Sequence, residues 1–264
     1  MPSRRLTLEQ AAEFLKLPPN ELRSLAVQNL INYSQQGERY FFTQDDLDEW
    51  VSRKIIALQS MKPSAQHRER KTLKIPDTSR PFLSELCTID TVSCQLTGKS
   101  RPSVLKELAE LAVSSGYVYD PNDLYVELLE REEIASTAIE QGAAIPHPHH
   151  RFDIPIFEES FICVAKTTTP VFFGNSPDGL KTDIFFLICC MDSNLHIQTI
   201  ARICQLCIET SLLNDLRSAT TNEELLNTLL EIDAHPEQHP LKKLQIEDEA
   251  WQYDWKGSIP QEGW

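Results

Sequence analysis

Residues 131–147 read REEIASTAIEQGAAIPH and combine a guanidinium, two hydroxyls and an imidazole in one short stretch. The pattern before this stretch predicts a helix that ends near Arg131 and delivers its guanidinium to the following loop. Gly142 permits a backbone angle that other residues avoid, and Pro146 stiffens the approach to His147. A neutral imidazole attacks phosphorus well near neutral pH, and the arginine fork suits phosphate oxygens. The stretch therefore predicts a phosphoryl-transfer site.

This stretch lies within residues 83–234, where helical and strand patterns alternate. Two short apolar runs rich in β-forming residues, 161–165 and 184–190, predict buried strands. Amphipathic patterns predict helices at 101–114, after Asp120-Pro121, and at 195–209, 212–216 and 223–232. Helices mixed with buried strands predict an α/β fold, with a mixed β-sheet covered by helices on both faces.

Two motifs in this segment resemble a known family. The first is Arg131-Glu132 followed by the run from Ser136 to His147, and the second is the helix start His196-Ile-Gln-Thr-Ile-Ala. Together they resemble the EIIA domain of the bacterial phosphoenolpyruvate:sugar phosphotransferase system, in its fructose/mannitol and nitrogen-regulatory subgroup. The resemblance extends across residues 83–234.

The resemblance implies a role for each matching residue. It makes His147 the phosphoryl-accepting histidine and His196 the neighbouring imidazole that orients the site or stabilises the phosphoryl group. It places Arg131 on the phosphoryl oxygens and lets Thr137 donate a hydroxyl hydrogen bond. Members of the family receive the phosphoryl group from the phosphocarrier HPr or its nitrogen-branch relative. They act as phosphotransferase-type phosphocarriers and need no metal or other cofactor.

The loop departs from the family pattern at two positions. Ala138 and Glu140 stand where the family has glycines. An alanine forced to a positive φ costs stability, so we expect the loop to differ from the family's or to tolerate the change. Glu140 also brings a negative charge near an incoming phosphate. The alternative to phosphoryl transfer is therefore an interaction protein that keeps the fold.

Residues 1–58 predict a small winged helix-turn-helix domain. Thr7 and Gln10 have the spacing of a capping box that opens a first helix. Leu17-Pro18-Pro19 ends that helix, and we expect Asn20 to cap the second. The second helix is expected to bury one apolar stripe, made of Leu22, Leu25, Ala26 and Leu30.

Two β-prone runs around Gly37 follow and predict a small hairpin. Thr43 then caps a third helix from Gln44 to about Ile56. The apolar side chains expected to point inward from that helix are Leu47, Trp50 and Val51.

Helix, tight turn, helix, hairpin and helix is an order that resembles the excisionase and MerR-type DNA-binding domains. The resemblance implies that the second helix enters the major groove and that the hairpin flanks it. The candidate DNA-binding residues are Asn20, Arg23, Gln28 and Arg39. Only two of these are cations, and DNA readers normally make several phosphate contacts. A helix-turn-helix reused for protein interaction is therefore the alternative.

Charge divides the chain further. Residues 1–58 hold seven basic and eight acidic groups, residues 59–82 hold six and two, and residues 83–264 hold twelve and twenty-nine. We interpret 59–82 as a basic linker, either a solvated spacer or an arm along the DNA backbone. Residues 235–264 hold three of the four tryptophans. Because disordered tails are poor in tryptophan, we expect this tail to pack on a domain or on a partner subunit.

Composition excludes several classes of protein. A net charge of −14 and a pI of about 4.9 exclude a chain that coats nucleic acid or anionic membrane by bulk charge. The longest apolar run, 184–191, is far short of the roughly 20 residues that cross a bilayer, so no membrane insertion is expected. Seven scattered cysteines and an N-terminus without an apolar stretch predict a cytoplasmic protein with reduced thiols.

Two groups of potential metal ligands were weighed. The imidazoles of His147, His149 and His150 lie close together in sequence, and Cys204 and Cys207 have a CxxC spacing. The cysteines lie in a predicted amphipathic helix and have no second pair at zinc-site spacing. No metal site is therefore predicted.

We expect, on these grounds, a cytosolic bacterial regulator in which phosphorylation of His147 is coupled to a DNA-binding helix-turn-helix. The sequence holds no membrane IIC or sugar-binding IIB segment, which favours regulation over sugar uptake. The expected partners are an HPr-like phosphocarrier, DNA through residues 1–82, and a IIB domain or a regulatory target protein. The alternatives are a transport phosphocarrier with the N-terminal domain as a docking module, and a non-phosphorylated interaction protein.

Overall fold

A computed structural model describes residues 5–58, 80, 82–148 and 155–241. In the N-terminal part the elements are β1 (Arg5–Thr7), α1 (Leu8–Leu15), α2 (Pro19–Val27), β2 (Ser34–Gln36), β3 (Arg39–Thr43) and α3 (Gln44–Leu58). In the larger part they are β4 (Val92–Leu96), α4 (Arg101–Val113), α5 (Pro121–Ile134), β5 (Ala138–Ile139), β6 (Ala143–Ala144), β7 (Phe161–Val171), β8 (Thr182–Cys189), α6 (Ser193–Glu209), α7 (Leu212–Ser218) and α8 (Asn222–Ala234).

The N-terminal part is a winged helix-turn-helix, as the sequence predicts. Thr7 and Gln10 form the expected capping box at the start of α1. Gly37 turns the hairpin with a φ of 61°, and the hydroxyl of Thr43 accepts a hydrogen bond from the Asp46 amide at the start of α3. Strand β1, which was not predicted, pairs with β3 to complete a small antiparallel sheet in the order β1-β3-β2.

Two predictions for α2 are wrong. Asn20 is not a cap, because α2 begins at Pro19, whose fixed φ suits the first helical position, and Asn20 already lies inside the helix. The predicted stripe also runs too far. The helix ends at Val27, and Asn29 adopts a left-handed φ of 54° that breaks the helical register. Leu30 is therefore 50% exposed, and Ile31, which is only 2% exposed, is buried in its place.

The larger part confirms the predicted mixed sheet with helices on both faces. Its five strands lie in the order β4-β7-β8-β6-β5, with parallel pairs β4–β7 and β6–β8 and antiparallel pairs β7–β8 and β5–β6. The long strands β7 and β8 were predicted. The two-residue strands β5 and β6 were not, because they are too short to show a period.

Successive residues of β7 alternate between the two faces of the sheet. Phe161 and Cys163 face the cluster formed with α4 and α5, whereas Ile162 and Val164 face the cluster formed with α6, α7 and α8. This second cluster is continuous with the core of the N-terminal domain, because α3 packs on α6. The two domains therefore share one apolar core.

Several predictions concern residues outside the described ranges. They include nearly all of the linker 59–82, the tail beyond residue 241, and His149 and His150. The seven cysteines all lie among the described residues, and each is a buried free thiol. Within these ranges no helix combines the length and apolar content needed to cross a bilayer.

Candidate functional site

Two imidazoles meet at the edge where the sheet faces α6. His147 follows β6, and the carbonyl of Pro146 accepts a hydrogen bond of 3.0 Å from the Ile188 amide of β8, which fixes the loop. His196 lies in the first turn of α6. The ring centroids are 4.9 Å apart, and the planes meet at 65°. The fold thus brings together two histidines that are far apart in sequence.

The hydrogen bonds of His147 define its tautomer. Nδ1 lies 2.8 Å from the carbonyl oxygen of Ile145, which can only accept, so Nδ1 carries the proton. Nε2 lies 3.1 Å from Nε of Arg131, which can only donate, so Nε2 carries the lone pair. The backbone therefore holds the ring in the state in which Nε2 is the nucleophilic atom.

Arg131 supplies a buried positive charge beside this nitrogen. Its side chain is 1% exposed, and Nη1 donates a hydrogen bond of 2.9 Å to the Ala135 carbonyl. Nη2 is buried and has no hydrogen-bond acceptor among the described residues. Burial lowers the pKa of the guanidinium from its usual value. An anion bound here would accept a hydrogen bond from Nη2 and would balance the positive charge of the buried guanidinium.

The second residue of the Arg-Glu pair shapes the loop. Glu132 is buried, and its carboxylate accepts hydrogen bonds from the amide of Thr137 at 2.9 Å and from its hydroxyl at 2.6 Å. Burial raises the pKa of Glu132. The Thr137 hydroxyl, to which we assigned a bond to the phosphoryl group, is thus donated to Glu132 here. Its role toward a phosphoryl group stays a prediction.

Neither Ala138 nor Glu140, the two departures from the family pattern, has a positive φ. The positive φ angles of the loop fall on Gln141, at 64°, and Gly142, at 75°. A Cβ on Gly142 would lie 2.9 Å from the Lys181 carbonyl oxygen, so glycine is required there by space as well as by angle. Ala138 lies in β5 with an ordinary backbone. The loop therefore accommodates both departures without backbone strain, and the effect of the Glu140 charge on an incoming phosphate stays a prediction.

Helix α3 of the N-terminal domain covers this site. Oε2 of Glu49 lies 2.6 Å from Nε of Arg131, and Oγ of Ser52 lies 3.3 Å from Nε2 of His196. The exposed fractions of His147 and His196 are only 2% and 6%. Neither Glu49 nor Ser52 was predicted as a site residue, because no local motif marks them.

The edge of this contact is also polar. The hydroxyl of Ser193, the first residue of α6, donates a hydrogen bond of 2.5 Å to Oδ2 of Asp48. The same hydroxyl accepts a hydrogen bond of 3.1 Å from Nε2 of the Gln44 side chain. Burial raises the pKa of Asp48 to about 7, and the charges of Asp45 and Asp192 act in the same direction. Burial also raises the pKa of Glu49, against the attraction of Arg131.

The four candidate DNA-binding side chains lie apart from this contact. All of them are exposed, on α2, directly after its last residue or on the hairpin: Asn20, Arg23, Gln28 and Arg39. The guanidinium of Arg23 lies 5.5 Å from the centre of the Tyr40 ring, and Arg23 and Arg39 line one groove of about 390 Å³. In the part of the chain that the structure describes, no three His, Cys, Asp or Glu side chains form a group that could hold a metal ion.

Comparison with known proteins matches each part separately. Residues 85–232 match the model of the family "Phosphoenolpyruvate-dependent sugar phosphotransferase system, EIIA 2", and residues 5–54 match that of a helix-turn-helix domain.

Individual relatives match the larger part. A nitrogen regulatory protein of Klebsiella oxytoca is 28% identical over 59% of this chain and 91% of its own length. One from Bradyrhizobium diazoefficiens is 29% identical over 46% of this chain and 79% of its own. The solved structure of IIA-Ntr from Neisseria meningitidis aligns with 55% of this chain and 97% of its own at 21% identity and a TM-score of 0.49.

Proposed function

This chain belongs to the EIIA 2 family of the phosphoenolpyruvate-dependent sugar phosphotransferase system, and we propose that it accepts a phosphoryl group on Nε2 of His147. The observation that carries the proposal is the position of that atom. Nε2 bears the lone pair and lies 3.1 Å from the guanidinium Nε of Arg131. A nucleophile and a cation for phosphate oxygens are thus placed together.

The proposed reaction moves one phosphoryl group between two imidazoles. The lone pair on Nε2 of His147 attacks phosphorus, and a new N–P bond forms. The N–P bond of the donor phosphohistidine breaks, and its electron pair stays on the donor nitrogen. Because His147 keeps its proton on Nδ1, the Ile145 carbonyl helps to stabilise the phosphorylated ring. The step is nearly balanced in energy, so positioning and charge stabilisation suffice.

Arg131 is proposed to bind the phosphoryl oxygens through Nε and Nη2. Nε of the guanidinium already donates to the lone pair of Nε2, and Nη2 has no hydrogen-bond acceptor among the described residues. His196 is proposed to orient the accepting ring, since the two ring centroids are 4.9 Å apart. No step requires a metal or another cofactor.

Intact-mass analysis tests this proposal. The full chain is incubated with phosphoenolpyruvate, enzyme I and HPr, and in parallel with the nitrogen-branch relative of HPr. We expect an acid-labile gain of one phosphoryl group, and no gain for His147→Ala. The matched control is His235→Ala, because His235 is an exposed histidine after α8, far from the site in sequence. This control should gain phosphate normally.

Two results would contradict the proposal. One is an unmodified wild-type chain with either carrier while a known acceptor in the same tube is phosphorylated. The other is a gain that persists in His147→Ala, which would place the phosphoryl group elsewhere.

The N-terminal domain is proposed to bind DNA through α2 and the hairpin. The helix-turn-helix match and the exposure of Arg23 and Arg39 beside one groove support this assignment. Because the curated relatives named above are nitrogen regulatory proteins, we assign the chain a regulatory role in preference to sugar uptake. The phosphoryl group would report the phosphoenolpyruvate state of the cell.

Selection from random duplex DNA tests this part. The full chain should enrich a sequence motif, and the double variant Arg23→Ala/Arg39→Ala should lose at least about tenfold in affinity, since each lost phosphate contact weakens binding. The variant Glu13→Ala changes an exposed α1 residue outside the groove and serves as the control. No enrichment at low salt would favour a protein-interaction role for the domain.

A further inference from the structure

One face of α3 occupies the space in front of the proposed phosphoacceptor. Nε of Arg131 lies 2.6 Å from a carboxylate oxygen of Glu49 and 3.1 Å from Nε2 of His147. The carboxylate and the nucleophilic nitrogen thus share a single donor atom. Glu49 stands close to the place where a phosphoryl oxygen bound by Arg131 would lie.

As the described residues are arranged, the covered site leaves no approach for a macromolecular donor. In-line transfer requires the donor phosphohistidine to come within bonding distance of Nε2, with its own ring beyond the phosphorus. His147 is 2% exposed, and His196, the other ring of the site, is in contact with Ser52 of α3. A phosphocarrier therefore cannot reach Nε2 while α3 is docked.

The contact is also composed of groups that a phosphoryl group would displace. Glu49 and Asp48 bring carboxylates to the site, and burial raises the pKa of both. The Glu49 carboxylate also forms a second ion pair, in which its Oε1 lies 3.2 Å from Nε of Arg53. A docked helix that offers an anion to Arg131 competes with phosphate for the same cation.

We propose that the N-terminal domain is an internal cap on the phosphoryl site, which must undock before His147 is phosphorylated and which phosphorylation then holds away. This inference rests on the proposed function of His147. Glu49 acts as a substitute for the phosphoryl oxygens in the docked state, and the phosphoryl group takes its place on Arg131 in the open state.

Electrostatics gives the direction of the switch. A phosphorylated imidazole carries almost two negative charges near neutral pH. Placed on Nε2, those charges would lie beside the carboxylate of Glu49 in a site that excludes water, where repulsion between like charges is strong. The phosphoryl group and Glu49 cannot both use Nε of Arg131, so the docked state and the phosphorylated state exclude each other.

Release changes the placement of the DNA-binding surface without uncovering it. Asn20, Arg23, Gln28 and Arg39 are exposed while α3 is docked. The switch therefore acts on how the helix-turn-helix is held relative to the larger domain, to which residues 59–82 join it. A regulator of this design would change the geometry of its DNA complex, or of its partner complex, with phosphorylation.

Transfer kinetics with the full chain test the cap. Glu49→Arg places a cation against Arg131, and Ser52→Tyr places a bulky ring against His196, so each should open the contact by a different route. We expect both to raise the initial rate of phosphoryl transfer from phosphorylated HPr by about tenfold or more, because the competent fraction rises. Glu13→Arg makes the same charge change at an exposed residue of α1 and should leave the rate unchanged.

Hydrogen exchange of the unphosphorylated proteins gives an independent readout. Peptides from 44–58 and 193–209 should exchange faster in Glu49→Arg and Ser52→Tyr than in the wild type, while peptides from 161–165, the buried part of β7, stay protected. Equal exchange and equal transfer rates in wild type and both variants would overturn the cap. If no protein accepts phosphate, the proposed function fails, and the exchange result alone decides whether α3 caps the site.

Discussion

Two buried arginines form ion pairs of similar length but different completeness. Arg202 of α6 contacts Asp233 of α8 at 2.7 Å, and the other oxygen of that carboxylate accepts hydrogen bonds from the amides of Phe82 and Leu83. Arg131 contacts Glu49 at 2.6 Å across the two domains, and its Nη2 has no acceptor among the described residues. In the first pair, both oxygens of the carboxylate have hydrogen-bond partners. The second leaves a donor for another anion.

The difference follows from what each pair must do. A buried ion pair stabilises a fold only when additional hydrogen bonds offset the loss of hydration, and the Arg202 pair meets that condition. The Arg131 pair meets it less well, so we expect breaking this pair to cost less than breaking the Arg202 pair. Incomplete pairing at a domain contact is what an exchangeable ligand requires.

The largest expected effect is on stability and separates the two pairs. Asp233→Ala leaves Arg202 and two backbone amides without their acceptor, so we expect a loss of about 3–5 kcal/mol in the free energy of unfolding. Glu49→Ala should cost less than Asp233→Ala, because it leaves no backbone amides without their acceptor and the pair that it removes is already incompletely hydrogen-bonded. Urea unfolding followed by circular dichroism measures both. Equal losses would remove the distinction between the pairs.

The next largest expected effect is on phosphoryl transfer. Here the change at Arg131 should matter more than the change at Arg202. Arg131→Lys keeps the charge but loses the planar fork, so we expect the transfer rate to fall by about a hundredfold. Arg202→Lys, the matched change, should alter the rate by no more than about twofold in protein that remains folded. A normal rate for Arg131→Lys would show that the guanidinium does not bind the phosphoryl group.

Docking should weaken as the pH rises. The pKa of Asp48 is about 7 in the docked state against an ordinary 3.8, so its neutral form favours docking. The docking constant should be highest below about pH 4, fall by up to about tenfold per pH unit, and level off above about pH 7. Burial raises the pKa of Asp48 most, the charges of Asp45 and Asp192 act in the same direction, and the hydrogen bond from Ser193 opposes them.

Hydrogen exchange of α3, corrected for the intrinsic rate at each pH, measures this dependence. Asp48→Asn removes one titrating group and keeps an acceptor for Ser193, so docking in that variant should vary less between pH 5 and 7 than in the wild type, with the remainder due to Glu49, whose pKa burial also raises. An unchanged slope in Asp48→Asn would assign the pH dependence to another group.

The smallest effect concerns the outer partner of the same carboxylate. Arg53 lies 3.2 Å from Glu49, but about a third of its side chain is exposed, so water screens the pair. Arg53→Ala should change the transfer rate by less than about threefold. A change as large as that of Glu49→Arg would mean that Arg53, rather than Arg131, holds the helix in place.

Much of the fold could be predicted because the sequence carries strong local periods. The apolar runs of β7 and β8 and the amphipathic stripe of α6 predicted a mixed sheet with helices on both faces, and Thr7 and Thr43 predicted helix starts. The short strands β1, β5 and β6 are defined only by their pairing with neighbouring strands. Their two or three residues have no period of their own.

The site could be predicted in part. The motifs placed Arg131, His147 and His196 in one site, and the structure brings these three side chains together. The contribution of Glu49 could not be predicted, because it depends on how two domains dock across a long separation in sequence. In the sequence alone, the acidic residues of α3 are indistinguishable from the solvated face of an ordinary helix.

The most direct test of the account follows the wild-type chain before and after phosphorylation. Hydrogen exchange is measured on peptides 44–58 and 193–209, with His147→Gln treated identically. We predict that stoichiometric phosphorylation increases exchange in both segments, leaves the buried part of β7, residues 161–165, protected, and has no effect on the His147→Gln protein. Unchanged protection of α3 in fully phosphorylated protein would contradict the account.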